Sequence, residues 1–505
     1  MNRFLSVHGH FYQPPRENPW TGRIEREESA APYENWNERI TAECYLPNAF
    51  PRVPDASGGL VELSSNYSRM SFNFGPTLLE WLAEKAPRVY EAILRADRES
   101  CERFSGHGSA IAQAYNHMVL PLANRRDKRT QGLWGIRDFE HRFGRSPEGM
   151  WLPETAVDTE TLEALAESGI RFTILAPDQA RRVRPIGRET WVEVSSAGSI
   201  DTTRPYVVPL PSGRRIAIFF YDGSTAHAVA FGELEQGAES LARRLAGLFA
   251  ETDEAQLVSI ATDGETYGHH HRGGEATLAA ALEHIESRGL ARLTNHGQYL
   301  EEHPPACEVA IRENTSWSCA HGLGRWSEDC GCRTGLHPEW RQAWRRPLRD
   351  ALDWLRDRLA ERYEDRAGPL LRDPWRARDD SILLRLDPSA ESLETFFDRH
   401  ARRPLSEEEK AAVGRLLEVE RYALLMFTSC GWFFDDVSGL ESRQVLRYAG
   451  RATELAESAF GESFEAAFLS RLEQARSNAP GFRDARDVYA EYVAPFLTGT
   501  PASRR

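Results

Sequence analysis

Short apolar runs that stop abruptly at polar residues recur through the first 300 residues, and this constrains the fold more than any other feature. Phe4-Leu5-Ser6-Val7 runs into His8-Gly9-His10, and Met70-Ser71-Phe72-Asn73-Phe74 into Gly75-Pro76. Met150-Trp151-Leu152 meets Pro153-Glu154, and Phe172-Thr173-Ile174-Leu175 meets Ala176-Pro177-Asp178. Ile216 to Phe220 precedes Tyr221-Asp222-Gly223, and Leu257-Val258-Ser259-Ile260 precedes Ala261-Thr262-Asp263. Strands that are apolar on both faces belong inside parallel sheets. Between them lie helical patterns, over Thr77 to Leu94, Asp158 to Ser168 with Asp158 as N-cap, and Ala238 to Ala250. Alternating strand and helix predicts the α/β class, as a barrel or a doubly wound sheet.

After about residue 300 the pattern changes. Trp340 to Arg362 is an Arg-rich amphipathic run with Trp344, Leu348, Leu352, Leu355 and Leu359 on one face. Ser406 to Thr428 and Arg443 to Ala456 also read as helices, and no strand series is evident. Glu364 to Asp379, with Pro369 and Pro374, reads as a loop, and Thr498 to Arg505 as a frayed tail. The expected organisation is a catalytic α/β domain over 1–300 and a mainly helical domain over 301–505 that contributes loops to the active site.

The net charge of −14 argues against a nucleic-acid partner, which a basic surface would serve. No segment approaches the ~18 apolar residues of a membrane span, so no membrane partner is expected. The N-terminal stretch lacks the apolar core of a signal peptide. Seven cysteines cannot all pair within one chain, which fits a reducing, cytoplasmic setting. Thirteen Trp and fifteen Tyr suit sugar stacking and an ordinary core equally. The oligomeric state is not legible.

Four acids stand at strand ends: Glu154, Asp222, Asp263 and Glu265. A single such acid is more often a helix cap than a catalyst. Four at like positions share one face if the strands form a barrel, and there chemistry gathers. Paired acids suit reactions that need a proton donor and a nucleophile or base, glycoside cleavage among them.

Four motifs carry a family resemblance. His8-Gly9-His10-Phe11-Tyr12-Gln13-Pro14 resembles the first motif of glycoside hydrolase family 57, although Phe11 and Tyr12 are extra residues there. Ala112 to Leu122, centred on His117, resembles the second. Gly149-Met150-Trp151-Leu152-Pro153-Glu154 resembles the third, whose Glu is the family's nucleophile. Thr262 to His269 resembles the fourth, whose first Asp is the acid/base. Ser71 to Leu79 also fits, and the helical half resembles a subgroup whose C-terminal region is poorly characterised.

The resemblance implies a (β/α)7 barrel, a retaining mechanism on α-glucans, and neither cofactor nor metal. Glu154 is then the nucleophile and Asp263 the general acid/base, with carboxyls roughly 5–5.5 Å apart. An oligo- or polysaccharide is the implied substrate. Hydrolysis and transfer or branching stay open. His8, His10, Gln13, His117, Trp151, Asp222, Glu265 and His269 are the expected substrate contacts. Trp317, Trp326, Trp432 and Asp435 join them from an aromatic loop and a motif at a helix end.

Two rival readings remain. One is a metal-dependent deacetylase or mannosidase-like enzyme, with zinc on His8/His10 and the run His269-His270-His271. The other is a glycan-binding protein without turnover. Cys319, Cys330 and Cys332 admit a zinc site with His321 or Cys430, a disulfide, or plain reduced thiols. The spacing Cys-x10-Cys-x-Cys is no standard finger, and no metal is assigned from it.

Overall fold

The computed structural model describes residues 2–54, 59–335 and 337–497; the expected tail from Thr498 lies outside them. The chain divides into two compact units. The first comprises Met1–Gln13, Arg26–Ala114 and Phe139–Trp317, and the second Pro14–Glu25, Tyr115–Asp138 and Ser318–Arg505.

The first unit is a parallel (β/α)7 barrel. Its strands among the described residues are β1 (Arg3–Phe11), β2 (Ser71–Phe74), β3 (Ala112–Gln113), β4 (Met150–Trp151), β5 (Phe172–Leu175), β6 (Arg215–Phe220) and β7 (Gln256–Asp263). β1 pairs with β2, and at its start with the two-residue strand Arg292–Leu293, on one side and with β7 on the other, where eight residues run in register from Arg3↔Gln256 to His10↔Asp263. Bridges Phe72↔Ala110 and Gly149↔Phe172 carry the parallel order through β3, β4 and β5. Six of the seven strands coincide with the apolar runs. The exception, β3, has two residues and no apolar run to announce it.

β6 pairs with β5 and also with an outlying strand, Tyr206–Pro209, which continues into Cys307–Ile311, Ala180–Pro185 and Val192–Glu193. This annex occupies one edge of β6. The barrel therefore closes toward β7 through single bonds, Asp222 N to Ser259 O at 2.7 Å and Leu257 N to Thr203 O at 2.8 Å. Cys307–Ile311 is a strand beyond residue 300, where none was expected. Glu308, Val309 and Ile311 are buried there, while Cys307 and Ala310 are half-buried.

The expected helix over Thr77 to Leu94 is two helices, Pro76–Lys85 and Pro87–Arg103. Pro87 has no N–H to continue the ladder, and the residue before a proline is driven out of the helical region, as Ala86 is with φ −136° and ψ 54°. Thr159–Glu167 begins as expected, with the Asp158 side chain accepting from Thr161 N.

The second unit is helical. Glu407–Leu425 and Leu440–Phe460 pack together and against Arg345–Ala367. Ser406 and Glu409 form a reciprocal capping box at the start of the first of these. The expected loop from Glu364 to Asp379 is instead the last turn of Arg345–Ala367 followed by helix Pro374–Asp380. Asp373 accepts from Trp375 N and Arg376 N, and Pro374 sits where its missing N–H costs nothing, so this proline starts a helix.

Candidate active site

Glu154 follows β4 on a tight turn. Glu154 and Thr155 both have left-handed backbones, φ 61° and 48°. Such conformations cost about 1–3 kcal/mol each for residues with a side chain, and persist only where surroundings enforce them. The enforcing bonds are Thr155 N to Leu152 O at 2.8 Å, Ala156 N to Pro153 O at 3.0 Å, and Gln179 Nε2 to Thr155 O at 2.8 Å. The segment before Trp317 pairs with the segment after Glu154, through Val157 N to Thr315 O and Asn314 N to Val157 O. Trp317 then donates its indole N–H to Glu154 Oε2 at 3.1 Å. The Glu154 side chain is thus held as an acceptor in a nearly buried position.

Asp263 ends β7, opposite His10 of β1. Enclosure by the surrounding walls, and then the charge of Glu154, push its carboxyl up to about 7. Water nevertheless reaches the Asp263 side chain, which is exposed in the free protein. Solvent screening there works against desolvation, so the upward direction holds for the free protein and the full shift belongs to a site closed over substrate. The next residue must be glycine: a Cβ on Gly264 would lie 2.2 Å from the Phe11 ring. Glu265 is buried, and its Oε1 accepts from Tyr45 Oη at 2.7 Å and Tyr12 N at 3.0 Å. Burial lifts it to about 8; the Tyr45 hydrogen bond opposes this and the Asp263 charge adds to it. The extra residues of the first motif thus supply a donor to Glu265.

A polar network lies on the strands beside these acids. His8 Nδ1 is 3.0 Å from Ser71 Oγ, and His8 Nε2 is 3.1 Å from Asn73 Oδ1. Asn73 Nδ2 lies 2.9 Å from His10 Nδ1 and donates to Gln113 Oε1 at 2.7 Å. Trp151 stacks on both imidazoles, with centroids 4.8 and 5.1 Å away, and meets Trp317 edge-on at 5.1 Å. Burial holds His8 well below its ordinary range and His10 at about 3, so both rings are neutral. Tyr221, the residue after β6, is pushed up by burial and then by the charges of Asp178 and Asp263, and its ring meets that of Trp317 edge-on at 6.5 Å.

Thus β1, β2, β4 and β7 bring together Glu154, Asp263, Glu265, His8, His10, Trp151 and Trp317. Gln13 turns its amide to the Tyr12 carbonyl. Asp222 caps helix Gly223–Ala230 through Thr225 N at 2.7 Å. His269 bonds Glu43 and packs against Trp36, while His271 reaches Ala230 O at 2.9 Å. Among the described residues, neither His8/His10 nor His269–His271 joins a group of ligand atoms close enough to hold a metal.

In the second unit, His117 has a left-handed backbone (φ 54°) and its Nδ1 lies 2.6 Å from Ser429 Oγ. Trp326 and Trp432 are fully buried, and Trp432 Nε1 donates to Arg345 O at 3.2 Å. The Asp435 carboxylate accepts from Thr334 N and Oγ1, each at 2.7 Å.

Asn73, Tyr45, Tyr12 and Tyr221 were not singled out from the sequence. Asn73 carried a usable signal, since Ser71 and Asn73 put polar side chains at alternate positions of a buried strand. Tyr45 carried none.

A family model described as glycosyl hydrolase family 57 matches residues 24–312, and one described as a domain of unknown function (DUF3536) matches residues 340–501. Alpha-amylase 1 of Dictyoglomus thermophilum is 23% identical over 200 residues, 39% of this chain and 26% of that protein. A 1,4-alpha-glucan branching enzyme of Thermococcus kodakarensis is 30% identical over 142 residues, 25% of this chain and 20% of that protein. The chain therefore spans about a quarter or less of the curated relatives it matches. Among solved structures, an exo-type maltose-forming amylase from a Pyrococcus species superposes with a TM-score of 0.69 at 16% identity, over 98% of this chain and 92% of that one, which is a likeness of fold. With a family model spanning more than half its length and the fold to match, the chain belongs to glycosyl hydrolase family 57.

Proposed function

We propose that this protein cleaves α-glucans with retention of anomeric configuration, passing the released glycosyl group to water or to a sugar hydroxyl. A carboxylate oxygen of Glu154 attacks the anomeric carbon as the bond to the leaving oxygen breaks, and Asp263 gives that oxygen its proton. In the second step Asp263 takes a proton from the incoming hydroxyl, which displaces Glu154 from the anomeric carbon. The observation that carries this reading is the unequal pair at the barrel end: Glu154 is held as a hydrogen-bond acceptor, while Asp263 is pushed toward keeping its proton near neutrality.

The neutral His8 and His10 shape the polar wall of the site without adding charge beside the acids; His8, with both ring nitrogens on Ser71 and Asn73, acts by holding Asn73 against His10. The relatives named as an amylase and a 1,4-alpha-glucan branching enzyme support an α-glucan substrate. An odd number of cysteines, seven, supports a reducing, cytoplasmic setting.

Product analysis on maltooligosaccharides, amylose and glycogen tests this, comparing the wild type with Glu154→Gln and Asp263→Asn. New reducing ends or altered chain lengths, lost in both variants, are expected. No turnover on any glucan, or activity that survives Glu154→Gln, contradicts it.

A further inference from the structure

We propose that Cys319, His321, Cys330 and Cys332, all in the second unit, form a closed tetrahedral zinc site. The ligand atoms of these four residues lie within 4.8 Å of one another. Cys319 Sγ is 3.9 Å from Cys330 Sγ and 3.7 Å from Cys332 Sγ, and Cys332 Sγ is 3.6 Å from His321 Nδ1. A tetrahedral zinc with bonds of about 2.3 Å to sulfur and about 2.0–2.1 Å to nitrogen requires S···S edges of ~3.8 Å and S···N edges of ~3.5 Å. The three separations match those edges. A disulfide requires sulfurs about 2.05 Å apart, which these are not.

The backbone is shaped for this convergence. Gly331 lies between two of the ligands with φ 79°, a left-handed turn that suits glycine. Gly324 lets the His321 turn lie against the segment at Cys330, because a Cβ there would sit 2.8 Å from Cys330 Cβ.

A second observation concerns charge. Arg345 is fully buried, and no carboxylate lies within ion-pair distance of it among the described residues. Its Nη1 points to Cys330 Sγ at 3.8 Å, and its Nη2 to the carbonyls of Phe433 and Phe434. Three thiolates and a neutral imidazole around a divalent zinc carry one net negative charge. That is the counter-charge the guanidinium lacks, and a hydrogen bond to a metal-bound sulfur is the usual outer support of such a site. With four protein ligands the metal has no open position, so its work is structural. Thr334, two residues past Cys332, is anchored on Asp435, so zinc would close the segment from Cys319 to Thr334 at both ends.

The test is metal analysis of the full-length protein expressed in zinc-supplemented medium and purified under reducing conditions. About one zinc per chain is expected, with X-ray absorption showing three sulfurs at about 2.3 Å and one nitrogen at about 2.0–2.1 Å. Cys330→Ser/Cys332→Ser should carry less than about a tenth of that zinc, while the control Cys101→Ser keeps it. If the double variant fails to fold, cobalt(II) titration of the metal-stripped wild type decides, with thiolate-to-cobalt charge-transfer absorption expected. Zinc-free wild type, full zinc in a folded double variant, a sulfur-free coordination shell, or no charge-transfer band would each overturn the proposal.

Discussion

Trp317 bonds Glu154 twice, its indole Nε1 donating to Oε2 and its backbone N–H donating to the Glu154 carbonyl, both at 3.1 Å. One residue thereby fixes both the strained backbone and the carboxylate of the proposed nucleophile. Trp317→Phe keeps the ring and removes the side-chain donor. A hydrogen bond to a charged group contributes about 1.5–3 kcal/mol, so kcat should fall on the order of 10–100-fold while KM for a maltooligosaccharide changes little. Steady-state kinetics checks this; an unchanged kcat would show that the bond does not position Glu154.

Asp263 must be protonated to assist departure of the leaving oxygen. With its carboxyl pushed up toward about 7 in the site closed over substrate, kcat should fall as pH rises through that value, because the acid form is lost. An α-glucosyl fluoride needs no proton on its leaving group. Asp263→Asn should therefore lose turnover of glucans, keep the first step with the fluoride, and show no alkaline fall for that step. An alkaline fall that persists there and vanishes in Glu265→Gln would assign the titrating proton to Glu265.

His10 and His296 are held at about 3 by burial, and His8 is also depressed. An unfolded histidine titrates near 6.5, so between ~6.5 and ~3 the unfolded chain takes up protons that the folded one refuses. Their neutral burial is fully compatible with folding above the unfolded value, and stability is lost as pH falls below it. His296 also lies 3.1 Å from Ser259 Oγ through Nε2. Denaturant unfolding of His296→Asn between pH 7 and 5 should show a slope smaller by up to one proton, ~1.4 kcal/mol per pH unit, than the wild type. Identical slopes would contradict the assignment.

In the helical unit Arg378 is buried, with Nη1 donating to Asp127 Oδ1 at 2.8 Å and Glu420 Oε2 at 2.9 Å, and Nη2 to Thr130 Oγ1 at 2.7 Å. Arg378→Met would leave two buried carboxylates without their cation, a loss of about 3–5 kcal/mol. Thermal unfolding should show a clear drop in Tm. A Tm within a degree or so of the wild type would mean that the carboxylates find other partners or protonate without cost.

The barrel was legible because buried parallel strands are apolar on both faces, so six of them stand out as runs against polar ends. β3 was hidden by its length, and the annex around Cys307–Ile311 because short antiparallel strands of mixed polarity look like loops. The pairs Glu154/Asp263 and His8/His10 were readable from strand ends and motifs. Tyr12 and Tyr45 on Glu265 were not, since one acts through its backbone and the other comes from a helical segment distant in sequence. The cysteine cluster was present in sequence as an irregular spacing. Only folding around Gly324 and Gly331 brings the three sulfurs and His321 within reach of one another.

The most direct test of the proposed chemistry is mass spectrometry of the protein after reaction with a fluorinated α-glucosyl fluoride that slows breakdown of a glycosyl-enzyme intermediate. A single added glycosyl group on the peptide containing Glu154, absent in Glu154→Gln, is the predicted result. An adduct on another residue, or turnover of the reagent to a product of inverted anomeric configuration with no adduct, would contradict the assignment of Glu154 as nucleophile.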